Sequence, residues 1–448
     1  MKDQPNFLFL FPDQWRWDWL GCEDSPYGKV PVQTPNIDAL AERGIRFSGC
    51  RTCAPLCSPA RACLALGERP PGPGVPDNQH CTPLDRPTVF SLLRASGYHT
   101  ATCGKSDLFK PLTEPSQTGY YPVMDTLGFS DGIDHHGKGQ AVIYARKGID
   151  DPYIVLLKEQ GELQTHLDDH PPQPLERAAA PTALPDELTT DAVTGRHALK
   201  LLNRTPENKP WCLWVNFPGP HDPYDPPAEL LSRYDGIAFP GAVAPTDDPP
   251  AYRDVEKDRL HYAACCSHID DEIGRLLAEV DRRGERDNTV VVFASDHGEM
   301  LGDHGRWQKS IWNEGSLRVP LIVAGPGVES GGVSRSPVEL IDISATILDL
   351  AGVKVPGTWD AKPFSSCLKN PAIEHRKYAV SQLEDWRCVT SNEWKYVEYR
   401  EQAPRLFDLS EDPQELHNVA EKYPQRCATF AHILEEASPW ERLGKDGV

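Results

Sequence analysis

Asn6-Phe7-Leu8-Phe9-Leu10-Phe11 runs apolar without alternation, and Pro12-Asp13-Gln14 follows at once. A half-buried strand alternates apolar and polar side chains. An unbroken apolar run of this length reads instead as a strand buried on both faces of a parallel sheet. The same texture returns in Tyr98–Cys103, Cys212–Phe217, Thr289–Ala294 and Leu321–Ala324. Helical patterns fall between these runs, over Pro35–Arg43, Thr88–Ala95 and Leu260–Arg282. Strand and helix in alternation predict an α/β fold, a large, mostly parallel sheet with helices on both faces. Such sheets bind ligands at the carboxyl ends of their strands. Asp13, Lys105, His221 and Asp296 each lie at or just beyond the end of a predicted strand, which predicts one composite site.

The 448 residues exceed the size at which one core usually stops growing. Two units are expected: a catalytic α/β domain over 1–355, and a C-terminal α+β subdomain over 356–448 with a small antiparallel sheet and a terminal helix. Its strands are expected at Tyr378–Gln382, Arg387–Thr390, Trp394–Tyr399 and Arg405–Leu409. The 43 prolines gather in Pro70–Pro76, Pro171–Pro185 and Pro240–Pro250, which read as surface-shaping loops. A formal net charge of −20 argues against nucleic-acid binding, which needs a basic footprint, but leaves room for a local cationic pocket that takes an anion. The 13 cysteines show no zinc-type spacing. Asn6–Phe11 is too short for a signal segment, and no run is long enough to span a membrane. Reduced thiols and a cytoplasmic location are expected for the chain as it stands, and a periplasmic or secreted one if a signal peptide has been trimmed.

Cys57-Ser58-Pro59-Ala60-Arg61 has the form Cys-x-Pro-x-Arg, with Asp13-Gln14 upstream and Asp296-His297 downstream. Alone, Cys57 reads as a small buried apolar residue. In this context the chain resembles the type I, formylglycine-dependent sulfatases of the alkaline phosphatase superfamily, over nearly its full length. The resemblance implies an alkaline-phosphatase-like fold. It also implies that a formylglycine-generating enzyme oxidises Cys57 to the catalytic aldehyde, and that the substrate is a small-molecule or glycan sulfate ester. Asp13, Gln14, residue 57, Asp296 and His297 would then surround a divalent metal. The Gln and His forms are similar to choline sulfatases and phosphonate monoester hydrolases. The imidazole leaves the metal open between Ca2+ and Mn2+. Without the resemblance, Asp13 and Asp296 read as helix caps.

The same resemblance assigns further roles. Arg61 holds the hydrated aldehyde, and Lys105 of Gly104-Lys105-Ser106-Asp107 and Lys309 of Trp307-Gln308-Lys309 bind sulfate oxygens. His221 of Pro220-His221-Asp222-Pro223 contacts substrate and protonates the leaving oxygen. Asn78 corresponds to a substrate-binding asparagine. Asp107 stands where the family usually has His, so either it is the base of the second step or it binds substrate hydroxyls or an ammonium group. Asp412-Pro413-Gln414-Glu415 resembles the segment that closes the family's C-terminal subdomain. Gly128–Glu187 carries no family motif and is expected near the substrate entrance. Trp15, Trp17 and Trp19 either stack on a sugar or aryl group or face the core, with the core expected for at least two. The alternative activity is phosphonate monoester or phosphodiester hydrolysis. Members of that group carry Tyr and Thr where Lys105 and Asp107 stand, so Lys105 favours sulfate. A non-catalytic binding protein on a degenerate scaffold is the third reading, opposed by the intact site residues.

Overall fold

The computed structural model describes residues 4–440 apart from 27, 111–115, 117, 172–178, 247–249 and 251–252. The strands are β1 (Asn6–Leu10), β2 (Gly44–Phe47), β3 (Cys50–Arg51), β4 (His99–Gly104), β5 (Asp131–Asp134), β6 (Trp211–Asn216), β7 (Thr289–Ala294), β8 (Leu321–Ala324), β9 (Gly332–Ser334), β10 (Val338–Glu339), β11 (Ala379–Leu383), β12 (Trp386–Thr390), β13 (Trp394–Tyr399) and β14 (Arg405–Asp408). Eight of them form one sheet in the order β5-β4-β6-β1-β7-β8-β2-β9. β1 lies between β6 and β7 and is parallel to both. β8 runs antiparallel to both β7 and β2, so the sheet is mixed.

Residues of β1 divide between the two faces, as a period of two requires. Leu8 and Leu10 enter one core with helices Pro35–Glu42, Thr190–Leu202 and Val255–Arg282. Phe7, Phe9 and the following Phe11 enter the other with helices Cys57–Leu66, Val89–Ala95 and Asp342–Leu350. Burying each such side chain stabilises the fold by roughly 2 kcal/mol. Cutting Leu8 to Ala would cost about 2–5 kcal/mol, because the packed sheet cannot collapse into the void. The strands that carry the site are therefore a rigid base.

Five sheet strands are legible in the sequence, and eight form. The missed strands β2, β5 and β9 are short, and β5 is Asp-Gly-Ile-Asp, a composition that otherwise marks turns. Helix Val255–Arg282 starts five residues before the expected Leu260, because the Asp254 side chain accepts from Lys257 N at 3.1 Å and caps it there. All three tryptophans face the core, with exposures of 0%, 3% and 1% for Trp15, Trp17 and Trp19. Trp15 meets Phe293 edge-on, Trp19 stacks on Phe239, and the Arg318 guanidinium lies over Trp17. The stacking role weighed for them is thereby excluded. Parts of the second and third proline-rich stretches lie outside the described residues.

Beyond the large sheet, β11 to β14 form an antiparallel meander. One face packs Val380, Val389 and Tyr396 against Phe430 and Leu434 of helix Pro424–Ala437. The other packs Trp386, Val397 and Phe407 against Ala54, Trp312 and Leu317. That second face leans on the two segments flanking the site, one just before Cys57 and one just after Lys309.

Candidate functional site

Asp13 follows β1 by three residues, Lys105 follows β4 by one, and Asp296 follows β7 by two. The parallel strands β4, β1 and β7 thus deliver three charged side chains to the carboxyl end of the sheet. Cys57 reaches the same place from above as the first residue of helix Cys57–Leu66, whose amino end favours negative charge. That helix ends at Gly67 with φ +65°, and a Cβ there would lie 2.1 Å from Trp359 Cε3. Only glycine fits at this turn.

Ligand atoms of Asp13, Cys57, Asp296 and His297 all lie within 4.8 Å of one another, and all four residues are buried. Cys57 Sγ is 3.3 Å from His297 Nε2, 3.8 Å from Asp13 Oδ1 and 3.5 Å from Lys105 Nζ. Arg61, fully buried, donates to Asp296 Oδ2 at 2.9 Å and Asp13 Oδ2 at 3.3 Å. It also donates to Asn216 Oδ1 at 2.9 Å and to the Lys105 carbonyl at 2.6 Å, so its plane is fixed by four acceptors. Lys105 Nζ completes the ring by pairing with Asp13. Two carboxylates, an imidazole and a thiol held this close form a donor set that fits a divalent cation. Gln14 sits beside them: its backbone N–H donates to Asp296 Oδ1 at 3.0 Å, and its side-chain Oε1 accepts from Lys309 Nζ at 2.6 Å.

Electrostatics follow from this crowding. Burial and Asp13 push the Cys57 thiol up, but Lys105, Lys309 and His297 outweigh them and hold it well below the ordinary thiol range. Burial likewise raises Asp13, and Lys105, His221, Arg61 and His297 reverse it, keeping the carboxyl well below its usual value. Lys105 is drawn down by burial but raised further by Asp107, Asp13 and Cys57, so it stays charged. Asp107 would rise on burial, yet Lys105 and Lys110, at 3.5 and 3.3 Å, bring it down to about 2.

His221 Nδ1 is 2.7 Å from the Asp222 carbonyl and 3.1 Å from Asp222 Oδ1. Those acceptors place the proton on Nδ1, leaving Nε2 to face Lys309 Nζ at 2.6 Å. Asn78 Oδ1 accepts from Ser58 N at 2.9 Å, tethering the loop to the start of the Cys57 helix. The catalytic, substrate-binding and metal-binding candidates named in the sequence thus come to one place, whereas Trp15, Trp17 and Trp19 do not. In front of Cys57 lies a cavity of about 310 Å3, lined by Asn78, Asp107, Lys110, His136, Gln140 and Gln308 among others. No phenyl, phenol or indole ring of the described residues lines it. His136 and Gln140 come from the 128–187 segment, which does reach the entrance.

Three participants escape the sequence reading. Asn216, which aims Arg61, is the polar end of an otherwise apolar strand, and that break was its signal. Glu299, fully buried, takes Gln14 Nε2 and the amide of Gln308. Asp222, next to the motif histidine, holds Nδ1. Gln14, Asp107, Gln308 and Ser310 all have left-handed backbones, at φ 67°, 52°, 65° and 71°. Each costs roughly 1–3 kcal/mol for a residue with a side chain. Their concentration around one cavity marks where the fold accepts strain.

The family model described as Sulfatase matches residues 5–353, and that described as N-sulphoglucosamine sulphohydrolase, C-terminal, matches residues 302–437. A choline-sulfatase of Rhizobium meliloti is 29% identical, over 99% of this chain and 88% of that protein. An N-acetylglucosamine-6-O-sulfatase of Bacteroides thetaiotaomicron is 26% identical, over 97% of this chain and 86% of its own. Among solved structures, the phosphonate monoester hydrolase of Agrobacterium radiobacter superposes with a TM-score of 0.79 at 23% identity, covering 97% of this chain and 95% of that one.

Proposed function

The chain belongs to the sulfatase family of the alkaline phosphatase superfamily, and from this we propose that it hydrolyses sulfate monoesters with residue 57 as nucleophile. The observation that carries the proposal is the convergence of Cys57, Asp13, Asp296 and His297 within 4.8 Å, with Lys105 and Lys309 at the mouth. Residue 57 acts as formylglycine. Hydrated, it supplies one hydroxyl for attack on sulfur and a second whose deprotonation expels sulfate and restores the aldehyde. Asp13, Asp296, His297 and residue 57, with Gln14 alongside, would hold a divalent cation, Ca2+ or Mn2+, which when bound would supply charge neutralisation and acidify the nucleophile.

The other groups act by position. Arg61 fixes Asp13 and Asp296 and offsets their charge. Lys105 and Lys309 bind the non-bridging sulfate oxygens, whose negative charge replaces the acceptors they now share. His221, its Nδ1–H held by Asp222, gives a proton from Nε2 to the leaving oxygen in its doubly protonated form, once sulfate has drawn Lys309 off that nitrogen. Asp107, kept ionised between Lys105 and Lys110, accepts hydrogen bonds from substrate or takes the proton of the second step. Among the described residues the cavity offers amides, carboxylates, cations and two imidazoles but no phenyl, phenol or indole ring, which supports a polyhydroxylated alcohol, a sulfated carbohydrate, over an aryl group.

Mass spectrometry of the Cys57 peptide, from protein co-expressed with a formylglycine-generating enzyme, tests the nucleophile. The expected mass is that of the aldehyde, and an unmodified thiol in active protein would sink the mechanism. Parallel assays on sulfate esters and phosphonate monoesters then separate the two activities that this scaffold accommodates, with sulfate expected to be the better substrate.

A further inference from the structure

The loop that carries His221 is held from behind by a buried charge cluster outside the sulfatase motifs. Lys138, 6% exposed, opens helix Lys138–Arg146 in the 128–187 segment. Its Nζ donates to Asp225 Oδ1 at 2.5 Å and to the Pro223 carbonyl at 3.3 Å. Asp225 Oδ2 is also 3.1 Å from His170 Nε2. Asp191, 3.9 Å from Lys138 Nζ, accepts from the Gly219 amide at 2.8 Å through Oδ1. The loop is thus gripped at Gly219, two residues before His221, and at Pro223 and Asp225, two and four residues after it. A Cβ at Gly219 would lie 2.5 Å from Asp191 Oδ2, so contact at that grip is as close as the backbone permits.

We propose that Lys138 is a positioning residue that, with Asp225 and Asp191, sets the place of His221 against the leaving oxygen. The inference rests on the reading of His221 as the proton donor. A buried ammonium between two carboxylates has one low-energy position, whereas a loop tied only by backbone bonds has many. Proton transfer needs the donor within hydrogen-bond reach of the oxygen, so small displacements penalise it heavily. The 128–187 segment then has a mechanical task besides lining the entrance. The neighbouring Gly137 touches the Lys105 stem, where a Cβ would lie 2.9 Å from Cδ. Two adjacent residues therefore brace the leaving-group side and the sulfate side of one cavity.

The test is the dependence of kcat/KM on leaving-group acidity, measured on phenyl sulfates from 4-nitrophenyl to 4-methoxyphenyl. A nitrophenolate leaves with little help, and a methoxyphenolate needs the proton. His221→Ala is expected to steepen the dependence. Lys138→Met is expected to steepen it in the same direction, with roughly tenfold or greater loss on the methoxyphenyl ester, part of the span general acids contribute. Lys138→Arg is expected to restore the wild-type slope in part. Should Lys138→Met fail to fold, Lys138→Met/Asp225→Asn removes both charges and is read in its place. Equal loss on all esters, alongside a steepened slope in His221→Ala, overturns this proposal alone. An unchanged slope in His221→Ala removes the acid assignment and the proposal with it.

Discussion

Lys105 approaches Cys57 from the end of β4 and pairs with Asp13, whereas Lys309 comes from a loop and meets Gln14 Oε1 and His221 Nε2, acceptors that a bound sulfate would replace. Lys105→Ala or Lys309→Ala is therefore expected to lower kcat/KM by about 10²–10³, the usual cost of one oxyanion donor, while the melting temperature changes little for Lys309→Ala. Steady-state kinetics and thermal melts check both. Cys57, Asp13, Asp296, His297, Lys105 and His221 were legible because each sits at a fixed offset from an apolar run or a motif. Asp222, Asn216 and Glu299 were not, because their work is done through neighbours that the linear order does not reveal. Asp107 was legible only as a departure. Its two lysine partners make it a stably ionised carboxylate, which no spacing argument supplies.

The meander β11–β14 holds the site through buried ions. Arg51 donates from Nε and Nη2 to the two oxygens of Glu314, at 3.0 and 2.9 Å, and Lys395 Nζ lies 2.6 Å from Glu314 Oε1 and from Glu415 Oε1. Lys395 also donates to the Trp312 carbonyl at 2.9 Å, three residues from Lys309. Removing one partner leaves charge buried and unpaired, so Lys395→Met is expected to destabilise by about 3–5 kcal/mol, read by urea unfolding. Burial pushes Glu314 up, but Arg51 and Lys395 outweigh it and hold it well below the ordinary carboxylate range. A depressed carboxyl stabilises fully above its unfolded value of 4.5, and that contribution is lost as the pH falls through the folded value. The melting-temperature gap between wild type and Glu314→Gln is therefore expected to be constant above about pH 5 and to narrow in stronger acid. Of these elements, all four strands β11 to β14 were legible in the sequence, β11 shifted by one residue to Ala379–Leu383. The charge latch between Glu314, Lys395 and Glu415 was not, because its members are far apart in sequence.

Across the chain, the donor set draws on residues 13, 57, 296 and 297, and a cation there would join segments separated by more than half the sequence. A chelator is expected to abolish turnover and lower the melting temperature, and Ca2+ or Mn2+ to restore both, since a ligand that binds only the native state stabilises it. Differential scanning calorimetry with each ion also shows which of the two binds more tightly. The parallel order β4-β6-β1-β7 was legible only as a class, because strands that look alike in sequence do not announce their neighbours. That order has a consequence in time. β1 pairs with β6 and β7, some 200 and 280 residues further on, so the site closes late, after slow long-range pairing. In the finished fold Cys57 is 2% exposed, Ser58 1%, and Ala60 and Arg61 0%. If an enzyme oxidises this pentapeptide, it would find no surface to grip in the folded protein, and its window would be the nascent chain. Native protein is expected to resist modification that an unfolded or truncated chain accepts, and the share of active molecules is then set by a race between oxidation and folding.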